Sequence, residues 1–381
     1  MIIAKLKARA YEKIRRGHLW IFSDEIVEVD GNEDIGIVNL FFKDEFVGRG
    51  LYNSRAKNSI KVLTRSYEEI DEDFFVRRFK RALFRRTSLP PFRREVNAEG
   101  DLLPGLIVDR YGDVLVVQFR SLALEKMKPQ ILSAIVDVYS PRSIYERSDF
   151  ESLPENGLSR EKGLLYGPMP ATKIVEENGL KFEVDVVNGQ KTGFFYDQRE
   201  SRKFVKENFH FGKGLDLFTY TGGFALSMAS NGMKVDGMDI SKDDLQIARK
   251  NALLNEVNVN FLEGDAFDLE HLGKYDFIVA DPPSLIKKRE EKKKALELFK
   301  RLMDQIFEHL NDNGIVGICS CAYNIDEEMI LKSVGKSARD KNRIIRPIKW
   351  TGLPIDHPYL LSMPETNYLK CLWFEAFNDM I

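Results

Sequence analysis

Cysteine is scarce in this chain of 381 residues, which has only Cys319, Cys321 and Cys371. An odd number with a single C-x-C pair is too sparse for a zinc site or a disulfide framework, and it points to a reducing compartment. Long apolar runs are missing as well. None approaches the roughly 18 residues of a membrane span, and the start, MIIAKLKARAYEKIRRG, lacks the apolar core of a signal peptide. A cytoplasmic protein with no membrane partner is the expectation. Net charge is almost absent, at −2, which argues against a uniformly basic nucleic-acid binder. The balance is uneven, however: residues 1–94 carry 20 Lys/Arg against 14 Asp/Glu, a net +6, and the remainder carries −8. A polyanion should meet the N-terminal part first, unless the asymmetry is only scatter in surface charge.

A hydrophobic share of 43% with 30% charged residues suits a folded chain, and the length exceeds what one core organises, so a multidomain α/β protein is expected. Up to about residue 70, short strand-like runs separated by Gly, Asn and Asp read as a small β barrel. From Asp71 the period becomes helical. Phe74, Phe75, Phe79, Ala82 and Leu83 fall on one face, and Arg77, Arg78, Lys80, Arg81, Arg85 and Arg86 fall outside it. Such a basic run is a solvated face or a phosphate-contacting surface. A hairpin around Tyr111-Gly112-Asp113, a helix near 124–138 and a second hairpin turning at Asn178-Gly179 complete a central α+β domain over 71–187. Residues 188–381 alternate strands and helices, which predicts a parallel, doubly wound, Rossmann-like sheet with its ligands at the carboxyl ends of the strands.

The residues at those ends carry the chemistry. The first strand runs into Gly214-Leu215-Asp216-Leu217-Phe218-Thr219-Tyr220-Thr221-Gly222-Gly223, where glycines let a backbone approach a ligand. The G-x-G-x-x-G spacing of a dinucleotide site is missing, and Asp216 in the loop would repel a pyrophosphate. An anion there suits a cation, and S-adenosyl-L-methionine carries a sulfonium and an ammonium. The second strand ends in Asp239-Ile240, with the carboxylate placed for ribose hydroxyls, and the third in Gly264-Asp265-Ala266. Each Asp alone is commonly a cap or turn former. Three at successive strand ends point to one ligand, with a nicotinamide enzyme as the rival.

The barrel segment resembles the PUA domain, an RNA-binding module, through Gly17-His18-Leu19-Trp20-Ile21-Phe22 and Gly48-Arg49-Gly50-Leu51-Tyr52-Asn53. A plain SH3-like or OB-like barrel is the alternative. The glycine-rich loop resembles the first motif of class I methyltransferases, and Gly189-Gln190-Lys191-Thr192-Gly193-Phe194-Phe195-Tyr196-Asp197-Gln198-Arg199 closely resembles a segment of the RlmI-like family of 23S ribosomal RNA cytosine-5 methyltransferases. The resemblance implies S-adenosyl-L-methionine as cofactor and RNA as partner. It places Gln198 and Arg199 at the methionine end, Asp216, Phe218, Thr219 and Gly222 in the cofactor loop, and Asp239 with Ile240 at the ribose. Asp265 then takes the adenine amino group and Ala266 the ring.

Methyl transfer to C5 of cytosine needs a thiolate to add at C6, because C5 of the aromatic ring is not nucleophilic. The fourth strand ends in Asp281-Pro282-Pro283-Ser284 and the fifth in Cys319-Ser320-Cys321-Ala322. Alignment with the family's S/T-C-S element makes Cys321 the nucleophile and leaves Cys319, two residues away on the same strand face, hard to separate from it. A buried structural thiol is the plain reading of Cys321. Asp281 is placed to stabilise charge on the ring and to border the cofactor. Many RNA cytosine-5 methyltransferases have Pro-Cys where this chain has Pro283-Ser284, which puts in doubt a release step through a second cysteine. Asp-Pro-Pro also occurs in enzymes that methylate exocyclic amines of guanine or adenine, and a non-catalytic RNA-binding protein with the same fold is a further alternative. His357 is a loop histidine with no assigned role, and the stretch Lys287–Lys294 is a solvated helix start or a phosphate contact. Whether the chain forms a homodimer is left open.

Overall fold

The computed structural model of the chain describes residues 2–150, 157–169, 172–283 and 292–378. It forms two compact units, one of Met1–Lys173, Val184–Tyr196 and Ile355–Thr366, the other of Ile174–Glu183, Asp197–Pro354 and Asn367–Ile381. Ser284 and Lys287 lie outside the described residues. Among the described residues, no helix is long and apolar enough to cross a membrane.

The N-terminal unit begins with strands β1 (Ile2–Leu6), β2 (Trp20–Ile21), β3 (Ile26–Asp30), β4 (Ile35–Phe42), β5 (Glu45–Asn53) and β6 (Ile60–Thr64), with helix α1 (Ala8–Arg15) after the first. They form one sheet in the order β2-β6-β5-β4-β1-β3. Where β5 crosses β6 the backbones come close: a Cβ on Gly50 would lie 2.5 Å from the Lys61 carbonyl oxygen, so only glycine fits. Helix α2 (Glu72–Phe84) follows, capped by the Asp71 carboxylate, which accepts from Phe74 N–H at 2.9 Å. Strands β7 (Phe92–Asn97), β8 (Leu106–Tyr111), β9 (Val114–Phe119), β10 (Ser143–Ser148) and β11 (Glu161–Tyr166) make a second sheet in the order β11-β10-β9-β8-β7. Helices α3 (Leu122–Glu125) and α4 (Lys128–Tyr139) stand where one helix was predicted.

The two N-terminal sheets fall in one compact unit: Leu51 and Leu63 of the first share one apolar cluster with Phe74, Phe75 and Phe79 of α2 and Val96, Leu106 and Val117 of the second. One expectation is corrected here. The basic face of α2 is narrower than its periodicity implies. Arg86 is fully buried, donating to both Asp101 carboxylate oxygens, and Arg78 is half-buried, donating to the Leu63 carbonyl oxygen at 2.8 Å.

Strands β12 (Lys173–Glu177) and β13 (Leu180–Val184) form the second hairpin, with Asn178 and Gly179 both left-handed at its turn (φ 52° and 74°). Residues 174–183 group with the C-terminal unit rather than with the central sheet. That unit carries β14 (Lys213–Leu217), β15 (Lys234–Asp239), β16 (Val259–Glu263), β17 (Tyr275–Ala280), β18 (Leu310–Ser320), β19 (Arg343–Gly352) and β20 (Lys370–Asn378), ordered β16-β15-β14-β17-β18-β20-β19. The first five run parallel, and β20 is inserted antiparallel beside β18. Its helices are α5 (Arg199–Asn208), α6 (Gly223–Ala229), α7 (Lys242–Leu254), α8 (Lys292–His309) and α9 (Glu327–Asp340). The order reverses between β14 and β17, where an open α/β sheet leaves a crevice for ligands.

Candidate cofactor and active site

The turn after β14 is bent by three left-handed residues, Phe218, Tyr220 and Gly222 (φ 64°, 51° and 91°). Two of them are not glycine, a strain that persists only where the surroundings impose it. Asp216 holds the turn together: its Oδ2 accepts from the Thr219 hydroxyl at 2.6 Å and from Ala225 N–H at 2.8 Å. Its Oδ1 is buried with no hydrogen-bond partner. Burial raises the Asp216 pKa to about 7, opposed by those two hydrogen bonds and reinforced by the nearby charges of Asp281 and Asp239. Asp216, Asp239 and Asp281 therefore share one electrostatic environment.

Asp239 at the end of β15 accepts from Tyr220 N–H at 2.8 Å and from Ser241 N–H at 3.0 Å, so it fixes the loop and still has lone pairs for a ligand. Ile240 beside it is 77% exposed. Asp265 after β16 is exposed and accepts from Phe267 N–H at 2.9 Å. Ala266 does not face an open site, because its side chain belongs to the main core of the unit, and the aromatic wall is Phe267, whose ring meets Phe218 edge-on at 6.3 Å.

On the other side of the reversal, Asp281 follows β17, and its N–H reaches the Leu217 carbonyl oxygen at 3.4 Å. Cys321 lies just past β18, half-buried, lining a small cavity with Pro282, Pro283 and Phe299. Cys319 lines the same cavity, and strand pairing distinguishes the two residues by their partners. Cys319 sits directly opposite Cys371 of β20, fully buried, and the two form a disulfide. Antiparallel insertion of β20 brings together these residues, 52 apart in sequence, as a single bridge rather than a framework.

Gln198 and Arg199 open helix α5. Gln198 is buried, and its Nε2 has no hydrogen-bond partner. Asp216 Oδ1 and Gln198 Nε2 are thus a buried acceptor and a buried donor, each without a hydrogen-bond partner.

Residues 160–351 match the family model for S-adenosylmethionine-dependent methyltransferases, and residues 4–65 match a PUA-like domain. The chain is 37% identical over 393 residues to "Ribosomal RNA large subunit methyltransferase I" of Shewanella frigidimarina, a match that covers 97% of this chain and 98% of that one. It belongs to that methyltransferase family. The Aeromonas salmonicida relative of the same name is 35% identical over 395 residues, covering 99% of both chains. Among solved structures, one from Streptococcus mutans, provisionally named a SAM-dependent methyltransferase, superposes with a TM-score of 0.84 at 22% identity, covering 98% of this chain and all of that one. A provisionally named methyltransferase complexed with SAH superposes with a TM-score of 0.85. At such identity the likeness concerns the fold. As a member of the family the chain uses S-adenosyl-L-methionine, and its first domain is PUA-like.

The family's signature segment conceals an ion-pair cluster that sequence reading missed. Glu177 of the hairpin accepts from Arg199 Nε at 3.3 Å and from Arg202 Nε at 2.6 Å, all three buried. Arg199 thus ties the hairpin to α5. Arg202 packs against Gly223, where an added Cβ would come within 3.1 Å of its Cδ, so an arginine backs the first turn after the cofactor loop. The i, i+3 spacing of Arg199 and Arg202 was a signal for one shared partner. His357 lies in the N-terminal unit, fully buried, with Nδ1 3.1 Å from Asp356. Asp356 also accepts from Arg94 N–H at 3.0 Å, which gives this pair a structural part.

Proposed function

We propose that the chain methylates C5 of a cytosine in 23S ribosomal RNA, with Cys321 as the nucleophile and Asp281 as the group that steadies the ring. The observation that carries this reading is the placing of Cys321 just beyond β18, in one cavity with Pro282 and Pro283, while Cys319 is held in a disulfide. The Cys321 thiolate bonds to C6, and the C5–C6 electron pair moves into the ring, where the Asp281 carboxyl donates to N3. S-adenosyl-L-methionine, when bound, supplies the electrophilic methyl group that C5 takes. A base then removes the C5 proton, and expulsion of the Cys321 thiolate restores the aromatic ring.

In this reading Asp216 and Gln198 hold the methionine end, with Phe218, Thr219 and Gly222 shaping the loop. Asp239 receives the ribose, and Ile240, Asp265 and the backbone at Ala266 border the adenine. Residues 1–70 and α2 supply RNA contacts. The test is mass spectrometry of 23S ribosomal RNA from a deletion strain complemented with the wild type or with Cys321→Ala. One 5-methylcytidine should vanish on deletion, return with the wild type and stay absent with the variant. A missing N-methylated guanosine or adenosine in its place would replace the C5 mechanism with transfer to an exocyclic amine.

A further inference from the structure

The sheet of β12 and β13 has two strands, which leaves the outer backbone edge of β13 to find partners other than a strand. Helix α7 supplies them from its side chains. Asn251 and Asn255 stand one turn apart, about 6 Å along the helix, close to the spacing of alternate residues on a strand. Asn251 Oδ1 accepts from Glu183 N–H at 2.6 Å. Asn255 accepts from Lys181 N–H at 2.8 Å and donates to the Lys181 carbonyl oxygen at 2.6 Å. The two asparagines take the place of a third strand.

The other arm of Asn251 reaches the turn after β14. Its Nδ2 donates to the Thr221 carbonyl oxygen at 3.0 Å, and the side chain is fully buried. An N–H must meet the amide oxygen and a carbonyl must meet the amide nitrogen, so the two partners fix which way the amide faces. Asparagine is a poor helix former and costly to bury, and these two bonds are what offset that cost within α7.

Thr221 lies between Tyr220 and Gly222, both left-handed, and a strained backbone persists only where its surroundings hold it. Part of that restraint is local: Asp239 accepts from Tyr220 N–H, and Gly222 N–H donates to the Thr219 carbonyl oxygen at 2.8 Å. The bond from Asn251 comes instead from a helix that also grips the hairpin. We propose that Asn251 is a positioning residue for the cofactor, its amide coupling the docking of the β12–β13 hairpin to the shape of the turn that receives S-adenosyl-L-methionine. The proposal rests on that turn being the cofactor loop. Coupling of this kind is reciprocal, so a cofactor that orders the turn also tightens the hairpin.

The test compares two variants of the full-length protein. Asn251→Leu keeps the side-chain volume and removes both bonds. In calorimetry it should bind S-adenosyl-L-methionine about tenfold more weakly, the order expected when a buried carbonyl loses its donor. In methyl transfer to ribosomal RNA its KM for S-adenosyl-L-methionine should rise by a similar factor, with kcat at saturation within about twofold of the wild type. Asn255→Ala strips two bonds from the same hairpin and leaves Thr221 held. It should melt lower than the wild type, with cofactor affinity changed by less than about twofold. Hydrogen exchange probes the link with no substitution: the cofactor should slow exchange of the wild-type Glu183 amide by at least about threefold. If Asn251→Leu does not fold, that measurement decides. Unchanged affinity in Asn251→Leu, an equal loss in Asn255→Ala, or a Glu183 amide indifferent to the cofactor would overturn the coupling. If Asp216→Asn also left cofactor affinity unchanged, the cofactor-loop reading itself would fail, whereas a loss there with none in Asn251→Leu would overturn this inference alone.

Discussion

Replacing Asp216 with Asn tests how the cofactor loop meets a cation. The variant keeps an oxygen for the bonds from Thr219 Oγ1 and Ala225 N–H, at 2.6 and 2.8 Å, and loses only the charge. With the wild-type carboxyl titrating at about 7 against 3.8 when unperturbed, the neutral form is favoured by about 4 kcal/mol. The sign follows directly. The folded pKa lies above the unfolded one, so the unfolded chain releases this proton first, and Asp216 lowers stability as pH rises from about 4 to about 7. A cationic cofactor beside Oδ1 favours the ionised form. Binding below about pH 7 must therefore expel a proton, and affinity should rise about tenfold per pH unit up to that point and then level off. Calorimetry in two buffers of different ionisation enthalpy reads both the affinity and the proton released. Asp216→Asn should bind more weakly, with no pH slope and no proton release, and its free form should melt higher than the wild type at about pH 8. A variant that kept the wild-type slope would refute this account of Asp216.

The other predictions concern single contacts. Gly222→Ala places a Cβ 2.4 Å from Leu226 Cδ1 at a φ of 91°, and should cost about 1–3 kcal/mol in a denaturation curve as well as weaken cofactor binding. Asp239→Ala should weaken cofactor binding by about 1–3 kcal/mol in calorimetry, and unchanged affinity would remove Asp239 from the site. Asp101→Ala leaves the fully buried Arg86 guanidinium without its carboxylate and should cost about 3–5 kcal/mol of unfolding free energy, whereas a loss below about 1 kcal/mol would contradict the pairing.

Much of the fold was legible because it rests on local pattern. The strands of the first and last sheets follow from alternation and Gly, Asn or Asp punctuation, and the Asn178-Gly179 turn follows from backbone preference alone. Strand order placed Asp216, Asp239 and Asp281 together, since residues ending adjacent parallel strands must be neighbours. What stayed hidden depends on distant partners. Helical period places Arg86 outside the apolar face, yet Asp101, 15 residues on, draws it into the core. Periodicity could not tell that Leu51 and Leu63 serve a core shared with α2. Cys319 looked equivalent to Cys321 until β20 supplied Cys371 opposite one of them.

The central claim is that Cys321 bonds covalently to the pyrimidine, and RNA containing 5-fluorocytosine tests it most directly, because fluorine at C5 cannot leave as a proton does and the adduct is trapped. Wild type and Cys319→Ala, incubated with S-adenosyl-L-methionine and the fluorinated RNA, should each give a denaturant-stable protein–RNA adduct whose crosslinked peptide contains Cys321. Cys321→Ala should give none while binding the cofactor nearly as well as the wild type. No adduct with the wild type, or an adduct that persists in Cys321→Ala, would contradict the account.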